Sequence, residues 1–96
     1  MNITQPTALV LQALTRGHEF AFDIMHVTGL PSGTVYPLLR RLERNGCVKG
    51  KWENEKLAHS EGRPRRRLYT VTAEGRLALA RALERFTYLR SAIRST

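Results

Sequence analysis

"GLPSGTVYPLLRRLERNG", residues 29–46, sets Gly29, Pro31, Ser32 and Gly33 directly ahead of a leucine-rich segment that carries three arginines. This block of breakers ends one helix, and Ser32 is a good N-cap for the next. Val35, Leu38, Leu39 and Leu42 then recur at i, i+3, i+4 and i+7, which is one face of an α-helix ending at Gly46. At ~100° per residue the opposite face is Gly33, Pro37, Arg40 and Arg44, flanked by Thr34, Tyr36 and Arg41. Gly33 and Pro37 keep that face low at its start, so the helix can approach a groove closely. Pro37 would cost a helix interior ~3 kcal/mol, and much less near the first turn.

Outward from this segment, Thr4 caps a first helix with Pro6 in its opening turn, Val10, Leu11 and Leu14 as its stripe, and Gly17 as its stop. A second helix runs from Ala21 to Thr28, with Phe22, Ile24, Met25 and Val27 as its apolar surface. Past Gly46 the texture changes. "VKGKWE" (48–53) and "RRRLYTVT" (65–72) are rich in strand-forming residues, and the polar "NEKLAHSEGRP" between them reads as a long exposed hairpin loop. Thr72 then caps a last helix, with Glu74 complementing its dipole. Leu79, Ala82, Phe86, Leu89 and Ile93 follow at spacings of 3, 4, 3 and 4, a heptad seam over about two repeats. The predicted fold is mainly α with a small β-hairpin wing: a winged helix-turn-helix over 1–72 and a dimerisation helix over 73–96.

The totals agree with one small domain. Sixteen Lys and Arg against eight Asp and Glu leave +8, with a pI near 10.8, which raises the odds of nucleic acid or another anionic partner. Residues 40–67 hold ten basic and four acidic side chains, so +6 of the +8 falls on the proposed recognition helix and hairpin. A helix N-terminus suits a phosphate oxygen, and Ser32, Thr34 and Tyr36 add hydroxyls there. Arg40 and Arg44, one turn apart, are placed to read base edges in a major groove. "GRPRRR" (62–67) puts Arg63, Arg65, Arg66 and Arg67 around Pro64, which reads as a compact basic tip for a minor groove or phosphates.

"GTVYPLLRRLERNGCVKGKWE" followed by "EGRPRRRLYTVTAEGRLAL" resembles the PadR family of bacterial transcription regulators. The Gly-Thr-x-Tyr-Pro-x-Leu-x-x-Leu helix from Gly33 to Leu42 and the Gly-Arg-Pro-Arg wing at 62–65 carry the resemblance, which covers roughly residues 7–84. "GHEFAFDI" (17–24) is similar to a further family motif, with Phe20 and Phe22 where tyrosines are frequent. The resemblance implies a dimeric repressor whose last helix packs on its partner's first and last helices. That assigns Val10, Leu14, Leu79, Ala82, Phe86, Leu89 and Ile93 to the interface. It implies DNA contacts by Tyr36 and its neighbours and by the wing arginines. It leaves room for a small aromatic or hydrophobic effector at the dimer interface near Phe86 and Tyr88, both of which also suit plain packing. The chain is expected to match the short branch with a single C-terminal helix and no separate sensory domain.

Other chemistry finds less support. His18, His26, His59 and Cys47 lack the close spacing of a zinc site, so no metal is expected. Asp23 and His26 share a helix face, but no nucleophile is tied to them, and no cofactor motif is present, so no enzyme is expected. Cys47 is most simply a small core residue, and a lone cysteine suits a reducing cytosol. Trp52 is expected to pack against the base of the wing. The N-terminus lacks a signal-like basic region, and the longest apolar run, Ala8–Leu11, is far short of the ~20 residues of a membrane span, so a cytoplasmic protein is expected. The competing reading is a protein-interaction adaptor that uses the same fold and a basic wing to grip an acidic partner. The favoured one is a homodimer on double-stranded DNA bearing an inverted repeat.

Overall fold

Helix boundaries fall where the sequence places its breakers. The computed structural model describes residues 2–94, with side chains described through Thr87. Helix α1 (Gln5–Thr15) starts after Thr4, whose hydroxyl meets that of Thr7 at 2.9 Å instead of capping a backbone N–H. Helix α2 (Ala21–Thr28) stops at Gly29, which takes the left-handed conformation (φ 75°) and donates its N–H to Met25 O at 2.9 Å. Helix α3 (Ser32–Arg44) begins one residue earlier than its expected cap implies. Ser32 is the first helical residue, and the cap position is Pro31, which has no side-chain acceptor. Pro37 lies inside α3, where it withholds one N–H from the helical ladder on an exposed face.

Strands β1 (Val48–Trp52) and β2 (Arg67–Val71) pair antiparallel, from Val48 opposite Val71 to Trp52 opposite Arg67. The α1–α2 connection adds a rung on the other edge of β2, with Phe20 bridging Leu68 and Tyr69 donating its N–H to Glu19 O at 2.9 Å. The segment between the strands departs from the sequence reading. It holds helix α4 (Glu55–Ser60) where a loop was expected. Asn54 Oδ1 accepts the N–H groups of Lys56 (2.8 Å) and Leu57 (3.3 Å), and the buried Ala58 anchors the turn. An Asn cap followed by six residues free of Gly and Pro is enough for one and a half turns.

Helix α5 (Ala73–Arg94) is capped by Thr72, whose hydroxyl accepts the Gly75 N–H at 3.1 Å and donates to Gly46 O at 2.6 Å. Gly75 is there for contact: a β-carbon would sit 2.1 Å from Cys47 O. This close approach seats α5 on the core formed by Val10, Leu11, Ile24, Val35, Leu39, Leu42 and Val48. Arg85 reaches the Ile3 carbonyl and ties the helix to the N-terminus.

That seating corrects two expectations. Val10, Leu14, Leu79 and Ala82, read as dimer contacts, are buried in the chain's own core, and Phe86 packs against it. An apolar seam marks a stripe that must be covered, and the α1–α5 contact covers the first half of this one. Leu89 and Ile93, and with them Tyr88, lie outside the described side chains. On α2 only Ala21 and Ile24 are buried, while Phe22 is 73% and Val27 48% exposed. Among the described residues no helix is long and apolar enough to cross a membrane.

Candidate nucleic-acid interface

The two faces of α3 separate as the wheel requires. Val35, Leu39 and Leu42 are fully buried and Leu38 half-buried, which fixes the rotation of the helix about its axis. Ser32, Gly33, Tyr36, Pro37, Arg40, Arg41 and Arg44 are exposed as a result, and Thr34 is half-buried. Among the described residues, none of the three arginines forms an ion pair. Helix α3 has no side-chain cap, and of its first N–H groups those of Thr34 and Val35 go to the Pro31 carbonyl, which leaves Ser32 and Gly33 at the positive end of the helix dipole.

The wing arginines are placed differently, and the free basic tip expected from "GRPRRR" is not what forms. Glu53, only 5% exposed, sits beneath them. Arg63 grips it with both terminal nitrogens and also meets Glu61 at 2.7 Å. Arg66 donates to the same carboxylate from its N–H (3.3 Å) and its guanidinium (3.1 Å), and stacks 3.9 Å above the Phe20 ring. The Arg63 bond, helped by Arg66 and opposed by burial, pulls the Glu53 carboxyl down to about 2, and Glu53 in turn holds the Arg63 guanidinium protonated above its usual range.

Arg67, at the start of β2, turns its side chain toward α3. Its guanidinium meets Glu43 of α3 at 2.6 Å, and this contact raises its proton affinity. Only Arg65 of the four has no carboxylate partner among the described residues. Trp52 is corrected too. At 53% exposure it is a shelf, with Arg65 and Arg67 each 5.5 Å from its ring centre, rather than packing beneath the wing.

Helix and wing meet around one open cavity of about 380 Å³. Tyr36 from α3, Phe20 and Phe22 from the start of α2, and Trp52 with Arg65 from the hairpin share its wall. Tyr36, on the exposed face of α3, and Arg65 of the wing therefore border the same opening. Tyr69, also on this wall, is buried, and burial raises its phenol's pKa. Sequence reasoning missed Glu43, Glu53 and the aromatic wall. One signal was available for the Glu43 contact: Gly50 inside a strand marks a place where something passes close to the backbone. Cys47 is buried and free, and among the described residues no three His, Cys, Asp or Glu side chains are grouped to hold a metal ion.

Comparison with protein-family models matches residues 10–81 to the transcriptional regulator PadR-like family. Comparison with curated proteins gives no match. Among solved structures, a PadR family transcription regulator from hypervirulent Clostridium difficile aligns over 96% of this chain and 97% of its own, with a TM-score of 0.82 at 22% identity. A transcriptional regulator from Clostridium thermocellum aligns over 98% and 97%, with a TM-score of 0.77 at 21% identity. The PcaV transcriptional regulator from Streptomyces coelicolor, solved in complex with its natural ligand, aligns over 95% of this chain and 60% of its own, with a TM-score of 0.79 at 23% identity. At such identities these likenesses carry the winged-helix fold alone.

Proposed function

The chain belongs to the PadR-like family of transcriptional regulators, DNA-binding proteins and not enzymes, and from that premise we propose that it is a cytoplasmic repressor acting as a homodimer on an inverted-repeat operator. The observation that carries the reading is the shared wall of Tyr36 and Arg65: one duplex can meet helix and wing at once. Residues 1–72 make the DNA contacts. The N–H groups of Ser32 and Gly33 and the hydroxyls of Ser32 and Thr34 take a phosphate, while Tyr36 and Pro37 lie against the groove. Arg40, Arg41 and Arg44 reach base edges and flanking phosphates. Arg65 is the wing's direct contact, on a phosphate or in the minor groove, and Arg63, Arg66 and Arg67 shape the wing behind it. Residues 73–96 close the chain's own core first, then pair with a second copy.

A small aromatic or hydrophobic effector that releases the DNA is part of the reading. Its support is the family fold and the ligand held by the PcaV neighbour.

Selection from random duplex DNA tests the proposal. The expected product is an inverted repeat whose half-sites lie about one helical turn apart, bound with a steep salt dependence and by a species of twice the single-chain mass in sedimentation. Failure to enrich any sequence, with no duplex bound even at low salt, would overturn it in favour of an adaptor with an acidic protein partner.

A further inference from the structure

Arg67 and Glu43 are 24 positions apart in sequence, on different elements, and their contact has been given room. Glu43 stands on α3 among Arg40, Arg41 and Arg44, yet it pairs with none of them among the described residues and turns to the hairpin instead. To reach it, the Arg67 guanidinium crosses the face of β1 directly over Gly50. A β-carbon there would lie 2.6 Å from Arg67 Nε and Nη2 and 2.8 Å from Cζ. A glycine inside a strand loses side-chain packing and adds backbone entropy to the unfolded chain, so its presence under this one guanidinium marks the route. The centre of the Trp52 ring lies 5.5 Å from Arg67 Cζ.

We infer that Glu43, Gly50 and Arg67 form a clasp that locks the wing to the recognition helix, and that Glu43 sets sequence discrimination by keeping the Arg67 charge away from DNA phosphates. The inference rests on the DNA-binding reading above. A phosphate contact adds affinity for every sequence alike, whereas base contacts separate one sequence from another. Releasing Arg67 therefore strengthens the indiscriminate part of binding, and it loosens the angle at which α3 and the wing meet the duplex. Glu43 and Arg67 are positioning residues, distinct from the contacting residues Arg40 and Arg65.

Three single variants, one double variant and two readouts test this. Trp52 is the only tryptophan of the chain and its ring lies 5.5 Å from the guanidinium carbons of both Arg65 and Arg67, so its emission reports displacement of either without any DNA. Binding is measured against a random-sequence duplex and against the duplex selected above, over a range of salt. Glu43→Gln should shift Trp52 emission and steepen the slope of log affinity against log salt on random duplex by about 0.9. It should also lower the ratio of selected to random binding. That slope change is about 3.5-fold in affinity over a fourfold change in salt. Arg67→Gln should leave the slope where it is in the wild type, Arg65→Gln should flatten it by about 0.9, and Glu43→Gln combined with Arg67→Gln should restore it.

The clasp is overturned if Arg67→Gln flattens the slope as much as Arg65→Gln does, a comparison that needs no Glu43 variant to fold. It is equally overturned if Glu43→Gln changes neither slope nor ratio. A wild-type chain that binds neither duplex at low salt overturns the DNA-binding reading instead. The clasp is then judged on Trp52 alone, and unchanged emission in Glu43→Gln overturns it.

Discussion

Arg40, Arg41 and Arg44 on α3 and Arg63, Arg66 and Arg67 on the wing are the same side chain in two settings. On the helix each residue is exposed and forms no ion pair among the described residues, because the helix uses its opposite face for the core. On the wing each is claimed by Glu53 or Glu43, and two of the three also lie over an aromatic ring. The wing has no core of its own: a two-stranded ribbon is marginal in water, and ion pairs with cation–π stacking hold its shape. Charge counted along the chain and charge available to a partner are therefore different quantities. The helix leaves its arginines open to a partner, while the wing commits most of its own to internal contacts.

The severest break in this comparison comes from below the helix. Leu42 is fully buried, and Leu42→Ala should cost about 2–5 kcal/mol of stability, read as a lowered denaturant midpoint. Without that anchor the free arginines lose their common orientation. The direct contrast comes next. Arg40→Ala should cost ~1–3 kcal/mol of discrimination at one or two base pairs of the selected duplex. Arg63→Ala should leave the preferred sequence unaltered while lowering thermal stability; a changed sequence preference in Arg63→Ala would erase the distinction.

The gentlest probe is acid. The Glu53 carboxyl titrates at about 2 in the folded chain against an ordinary 4.5. Its pairing is thus fully stabilising above pH 4.5, weakens as the pH falls, and is gone below about 2. Glu53→Gln should remove that part of the acid sensitivity in melting temperatures taken across this window. Parallel curves for the two proteins would mean that the pair holds nothing together.

Much of the layout was legible from the residues. Gly29 and Gly46 bound α2 and α3, and the four apolar positions from Val35 to Leu42 gave the rotation of α3 and hence its basic face. Thr72 marked the start of α5, and the Gly-Thr-x-Tyr-Pro helix with the Gly-Arg-Pro-Arg wing pointed to the family that the family model then matched. Among the readings that the structure altered, three are instructive. The polar composition of 54–64 hid the Asn54 cap, and Phe22 and Val27 lie on a helix that buries a narrower stripe than their hydrophobicity suggested. The heptad pattern of α5 marked Leu79 and Ala82, which are buried, and is silent about whose surface does the burying.

Local order along this chain, from its breakers, caps and 3.6-residue periodicity, came from the sequence, because those signals act between residues a few positions apart. Partner choice among the charges was settled by the tertiary structure. Glu43 meets Arg67 across 24 positions and Glu53 gathers Arg63 and Arg66 across 10 and 13, and such pairings depend on where the folded backbone brings each side chain. A Coulombic contact decays over ångströms of space, so no spacing along the chain records it.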